Sequence, residues 1–293
     1  MALAEADALT SAPRRRGYWG GVLYRVRHDP VAMLCAAILA LLILSAIFAP
    51  WLPLQDPYKA SMIARLKPVG TPGHLLGTDE QGRDMLARLI YGGRLTLMIG
   101  LVPVVLAFFV GSALGIVAGY AGGRVNTAIM RTVDVFFAFP SVLLAIAISG
   151  ALGAGVINSL VSLTIVFIPP IARVAESVTS GVRSADYIDA ARATGGGAFT
   201  IMRVHVIGNV LGPIFVYASS LTSVCMILAA GLSFLGVGVK PPEPEWGLML
   251  NTLRTAIYIN PMVAALPGAM IFITSLCLNL LSDGLRSAMN VKD

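Results

Sequence analysis

Tyr187-Ile188-Asp189-Ala190-Ala191-Arg192-Ala193-Thr194-Gly195 is a short, alanine-rich, polar stretch in a chain otherwise dominated by long apolar runs. Asp186 and Asp189 precede or enter it, where negative charge suits the positive end of a helix dipole. Ser184 is placed to cap the helix, and Gly195-Gly196-Gly197 ends it and turns the chain. Ala190, Ala191 and Ala193 leave a narrow ridge that a groove on another protein can close around. A second helical stretch, with Phe199, Ile201, Met202, Val204 and Ile207, leads away from it. Taken alone, the pattern fits either an ordinary connector or a handle gripped by a partner.

The surroundings of this stretch are membrane. Of 293 residues, 57% are hydrophobic and only 12% charged, against about 25% charged in a soluble domain. No Asp, Glu, Lys or Arg occurs in 30–55, 95–123, 135–172, 204–239 or 255–282. A spanning helix needs about 20 apolar residues, because backbone polar groups in lipid are satisfied only within the segment. The third interval is long enough for two spans, and Gly150-Ala151-Leu152-Gly153-Ala154-Gly155 marks the turn between them. Six spans follow, at 31–53, 95–120, 130–150, 156–174, 212–237 and 263–282.

The first span is longer than a signal-peptide core and is preceded by a basic segment with Arg14, Arg15, Arg16, Arg25 and Arg27. That segment favours a cytoplasmic N-terminus. Both termini, the 121–129 loop and the 175–211 loop are then inside, and 54–94 and 238–262 outside. Thirteen Lys and Arg fall inside and eight outside. The net charge of +6 is spread over many short loops, which suits anionic lipid rather than nucleic acid. The domain plan is a cytoplasmic segment 1–30, disordered over 1–13 and interfacial over 14–29, then a first span 31–53 and an outer segment 54–94. A five-helix core 95–282 and a cytoplasmic tail 283–293 complete it.

In the outer segment, Thr78-Asp79-Glu80-Gln81 has the form of a capping box. Met85, Leu86, Leu89 and Ile90 then share one helical face, with Arg83, Asp84 and Arg88 on the other. An amphipathic helix at the outer interface is expected, serving as a lead-in to the second span or in gating or partner docking. Gly111, Gly115 and Gly119 recur at four-residue intervals, as in closely packed membrane helices; a flexing hinge is the other reading. Arg131 and Asp134, about one turn apart, suggest a local ion pair or else a proton relay. Otherwise the spans are almost free of ionisable groups, which speaks against an ion-coupled secondary carrier. Cys35, Cys225 and Cys277 lie in spans and have neither metal-ligand nor disulfide spacing. His28, His74 and His205 are dispersed, and no metal site is expected.

The stretch from Asp189 through Gly195 to Ile207 resembles the coupling loop of ATP-binding-cassette (ABC) importer permeases, Glu-Ala-Ala-x3-Gly. Asp189 stands where that motif has Glu, and Gly208 where it ends in Pro. Leu76-Gly77-Thr78-Asp79, Gly82-Arg83-Asp84 and Tyr91-Gly92-Gly93-Arg94 look like the N-terminal signature of dipeptide, oligopeptide and nickel permeases of this class. Leu232-Ser233-Phe234-Leu235-Gly236-Val237-Gly238-Val239, with Pro241-Pro242 and Pro244-Glu245-Trp246-Gly247, resembles the segment after their fifth span. Asn279-Leu280-Leu281-Ser282-Asp283-Gly284-Leu285-Arg286 is similar to their C-terminal motif. Together these cover about residues 25 to 290, and the signature and chain length are those of the second, C-type subunit.

The resemblance implies an all-α membrane protein with six transmembrane helices and the ABC importer type I (methionine/maltose permease-like) fold. It implies a paralogous permease partner forming a heterodimer, two ABC ATPase subunits and an extracytoplasmic peptide-binding protein. Its cargo would be di- or oligopeptides, or else nickel chelates or glutathione, carried across a bacterial inner membrane. Asp186, Tyr187, Asp189, Ala190, Ala191, Arg192 and Gly195 would meet the ATPase. The chain has no G-x-x-x-x-G-K-[ST] loop, so ATP and Mg are expected on the partner ATPases, with no cofactor or catalytic residue here.

Overall fold

In a computed structural model, residues 18–289 are described and are almost entirely helical. The expectations for residues 1–17 and 290–293 lie outside the described residues. Helix α1 (Tyr18–His28) leads into α2 (Pro30–Phe48), whose N-terminus is capped by the Asp29 carboxylate accepting from Val31 and Ala32 N–H. The first span therefore ends earlier than 53, in a 3₁₀ turn at Ala49–Trp51. Next come α3 (Met85–Ala121), α4 (Gly123–Phe137), α5 (Ser141–Leu152) and α6 (Val156–Arg183). They are followed by the short α7 (Asp186–Ala193), the long α8 (Ala198–Phe234) with a π-turn at Met202–Val206, α9 (Trp246–Thr252) and α10 (Pro261–Met289).

Among the described residues, five helices are long and apolar enough to cross a membrane, or six when α4 and α5 count as one span bent by 86°. The expected helix over 130–150 is thus broken at residues 138–140, where Pro140 can neither donate to nor continue the ladder. Two long helices also overrun the expected boundaries. α6 continues to Arg183 and α8 begins at Ala198, so the non-helical part of the 175–211 segment is confined to a few residues on either side of α7. The expected tail 283–293 is helical through Met289.

The core is a pairing of α3 with α6, the most extensive helix contact in the molecule. Gly111, Gly115 and Gly119 face α6 throughout. A Cβ on Gly111 would meet the Ile168 carbonyl at 2.9 Å, and one on Gly119 the Glu176 carbonyl at 2.7 Å. The glycine stripe is therefore a packing face, letting backbones touch where lipid supplies no hydrophobic drive. α8 packs on both helices, and α10 and α2 close the other side, with Cys35, Leu39 and Cys277 in one apolar cluster.

The outer segment is not a separate amphipathic helix. Helix α3 starts at Met85 and runs into the membrane without a break, capped by Asp84 accepting from Ala87 N–H at 2.8 Å. Thr78 caps nothing: its hydroxyl bonds the Ala64 carbonyl and accepts from Lys67 N–H, tying the loop to itself. Arg83, Asp84 and Arg88, expected on a wet face, are all buried. Asp79 accepts from Arg83 Nε at 2.6 Å and lies 3.3 Å from Arg88 Nε, which makes no hydrogen bond of its own. Arg88 Nη1 donates to the carbonyls of Pro57 and Pro242, and His74 Nδ1 lies 3.0 Å from Asp84. Buried charges persist only when paired. Arg83 and Asp84 find theirs within ten positions, whereas the carbonyls that hold Arg88 are 31 and 154 positions away in sequence, beyond the reach of helical periodicity.

The Gly92-Gly93 and Glu245-Trp246-Gly247 motifs meet directly. A Cβ on Gly92 would strike the Pro244 carbonyl, one on Gly93 the Trp246 ring at 3.2 Å, and one on Gly247 the backbone of Ala230. Trp246 is 1% exposed and donates its Nε1–H to the Leu89 carbonyl at 2.8 Å. Glu245, equally buried, caps α9 by accepting from Gly247 and Leu248 N–H at 2.9 and 2.8 Å. Burial pushes its carboxyl above the ordinary range, opposed in part by those two N–H donors. A carboxyl raised on folding favours the folded state most below its unfolded pKa and loses that contribution as pH rises through the folded value. The protein is therefore expected to lose heat resistance as pH rises through that interval, and Glu245→Gln to flatten the dependence, read as the midpoint of thermal aggregation.

Candidate functional site

α7 is eight residues long and hangs between the end of α6 and the start of α8. One face is anchored. Ile188 is fully buried, in the same apolar cluster as Ile201, Val206 and Val210 of α8 and Ala175 of α6. The opposite face is open: Asp186, Tyr187, Asp189, Ala190, Arg192 and Ala193 are exposed, and Phe199 and Val204 of α8 stand beside them at 76% and 62% exposure.

Local chemistry fixes the shape of this loop. The helix starts at Ala185 with no side-chain cap; Ser184, expected in that role, donates instead to the Gly181 carbonyl at 2.9 Å, the last turn of α6. Asp186 and Asp189 occupy the first turn, and Asp189 accepts from Arg192 Nη1 at 2.7 Å. An exposed i,i+3 pair of this kind contributes a few tenths of a kcal/mol. At the far end the Thr194 N–H donates to the Ala190 carbonyl, and the Gly196 N–H and Thr194 hydroxyl to that of Ala191. Gly195 sits at φ +83°, the left-handed conformation that stops the helix. Tyr187 receives the Asn209 amide at 3.4 Å, linking α7 to the base of α8.

Six of the seven residues singled out from sequence lie on α7 and Gly195 in the turn after it, but they do not share one face. Ala190 is exposed, whereas Ala191 is half-buried and packs against the apolar cluster. The three alanines are expected to form one ridge; Ala191, three positions from the buried Ile188, shares its face instead and turns inward. The anchor Ile188, and the flanking Phe199 and Val204, are additional parts of the site. Their signal in the sequence is only that of apolar residues next to a polar helix. Gly208 lies within α8 with open space beside it, and the helix passes through it unbroken.

A second group sits at the 86° elbow between α4 and α5. Asp134 of α4 pairs with Arg173 of α6, not with Arg131, and the guanidinium stacks 4.8 Å from the Phe137 ring centroid. Nearby, Asn126 donates to Glu176 at 2.7 Å, so α4 and α6 are joined by two polar contacts.

The all-helical set of apolar helices, with a small anchored helix displayed at one end, is that of a membrane permease. Residues 111–291 match the family described as binding-protein-dependent transport system inner membrane component, and residues 17–68 match the N-terminal membrane domain of oligopeptide transport permease C. The chain belongs to this family of ABC importer inner-membrane permeases, in its C-type branch.

It is 40% identical over 270 residues to the di/tripeptide transport system permease protein DppC of Pseudomonas aeruginosa, covering 90% of this chain and 89% of that protein. It is 38% identical over 274 residues to the glutathione transport system permease protein GsiD of Pectobacterium atrosepticum, covering 94% and 91%. The probable D,D-dipeptide transport system permease protein DdpC of Escherichia coli is 34% identical over 292 residues, 100% and 98% of the two chains.

Proposed function

We propose that this chain is one of two paralogous permease subunits of an ATP-driven importer that carries di- or oligopeptides across the inner membrane. Two ATPase subunits hold ATP and Mg and supply the energy, and an extracytoplasmic binding protein delivers the cargo. Both termini are cytoplasmic, which puts α7 on the side of the ATPases and the Asp79–Arg88 cluster on the side of the binding protein. ATP-driven closure of the ATPase dimer moves α7. Because Ile188 is locked into the apolar cluster shared with α6 and α8, the displacement passes to the spans as a rigid shift between two packings. This anchored, outward-facing helix is the observation that carries the reading.

The test is ATP hydrolysis by the reconstituted four-component complex with peptide-loaded binding protein. Stimulation by loaded protein is expected, and Ala190→Glu, on the exposed face, should abolish peptide uptake while leaving the permease folded. Ala191→Glu is a poorer probe, since it would also disturb the docking of α7. Normal uptake by Ala190→Glu would sink the assignment of this face to the ATPase. Glutathione is the second reading, supported by the 38% identical relative named for it. Competition of labelled peptide uptake by glutathione separates the two.

A further inference from the structure

The elbow between α4 and α5 carries an arrangement that coupling to an ATPase does not use. A cavity of about 310 Å³ lies there, lined by Phe136, Phe137, Phe139, Ser141, Phe167 and the Pro169-Pro170 pair. Phe137 and Phe139 are 50% and 57% exposed, and the paired side chains of Arg173 and Asp134 at its edge are 48% and 40% exposed. Arg173 lies 17 residues along α6 from Val156, about 25 Å at 1.5 Å per residue. With a hydrocarbon core of about 30 Å, the aromatic cavity falls near mid-depth and the ion pair toward the inner side.

Half-exposed charges at that depth are expensive against lipid and face a watery or protein-lined path instead. Transporters build midplane substrate sites where a spanning helix is broken, and pockets that are mostly apolar with a few fixed polar groups suit small ligands.

We infer that this elbow is a cargo-contact site in the translocation path, taking a zwitterionic peptide with its α-carboxylate on Arg173, its α-ammonium on Asp134 and a side chain among the phenylalanines. The inference rests on the importer reading above. Without cargo, Arg173 and Asp134 satisfy each other; on entry each exchanges its partner for a peptide terminus, so neither charge is left unpaired within the membrane. The rings offer an apolar surface that accepts many side chains without selecting one.

The experiment uses the complete complex, with its binding protein, in proteoliposomes. A photoreactive benzoylphenylalanine at position 139 should crosslink a labelled peptide during turnover and be competed by unlabelled peptide; the same group at Phe109, exposed on α3, should not. Arg173→Gln should lower peptide uptake and the Phe139 crosslink about tenfold, the loss of one charge-assisted contact. Phe139→Trp, which leaves the ion pair intact, should slow peptides with bulky side chains more than diglycine.

The charge exchange Asp134→Arg with Arg173→Asp should not restore uptake, because the cargo's termini would meet like charges. Restoration of uptake by that exchange would make the pair a structural latch and overturn the site. So would normal peptide uptake without any crosslink at position 139. Absence of peptide uptake by the unmutated complex would instead tell against the importer reading, and this site would fall with it.

Discussion

Gly115→Leu is expected to leave almost no folded permease in the membrane. A Cβ at this position would lie 2.8 Å from Glu176 N and closer still to the Ala172 carbonyl and Ala175 Cβ. Two of these three atoms are backbone of α6, so no rotamer change relieves the clash. The whole α3–α6 pair would have to separate, and α8 packs across both. Overpacking a core with flexible neighbours costs about 1–3 kcal/mol, and the rigid neighbours here put the cost above that range. Membrane accumulation and monodispersity in detergent are the measurements. Gly150→Leu is the control, since nothing lies within 4 Å of a Cβ there. Equal accumulation of the two variants would show that the glycine stripe is not the packing face described above.

Ile188→Asp is expected to disconnect the ATPase from the spans while leaving the spans assembled. Ile188 is fully buried beneath α7, and a carboxylate without partners in that cluster costs several kcal/mol. Undocking α7 relieves the cost, because apart from the half-buried Ala191 the helix is held by its two connections, the Tyr187–Asn209 contact and the backbone bonds of its C-terminal turn. The expected result is a complex that accumulates normally and loses peptide-stimulated ATP hydrolysis and uptake by tenfold or more.

Ile188→Ala keeps the site apolar and should give an intermediate defect, following the roughly 2–5 kcal/mol cost of deleting a buried aliphatic side chain. Asp189→Asn sets the contrast. It removes only an exposed pair with Arg192, worth about 0.3–0.5 kcal/mol, so any large loss of transport there reports contact with a partner rather than the fold of the loop. Full coupling in Ile188→Asp would show that α7 does not transmit through its anchor.

Charge-free intervals and glycine spacing were enough to read the architecture. Lipid admits only segments that satisfy their own backbone, and the length of each apolar run then sets a helix. Helix α7 was legible for a related reason: its stop at Gly195 and its acidic first turn are local properties of consecutive residues. The motif glycines could also be recognised, although their purpose could not. Gly92 and Gly93 exist to admit Pro244 and Trp246 from a loop some 150 residues away.

What tertiary structure alone decided is pairing across distance. A helical wheel puts Arg83, Asp84 and Arg88 in water, because it counts only neighbours on one helix; the fold supplies Asp79, Pro57 and Pro242 and buries them. The same limit assigned Asp134 to Arg131, one turn away, when the elbow at Pro140 tilts α4 so that Arg173 of another helix reaches it first. Ala191 turns inward with Ile188, its neighbour one turn back on α7, and it is the cluster on α6 and α8 that decides which face of α7 is covered. Sequence fixes what each segment must be in a membrane, since that depends on local polarity and length. Which charges meet, and which face of a small helix remains free, depends on helix crossing angles that only the packed assembly of spans determines.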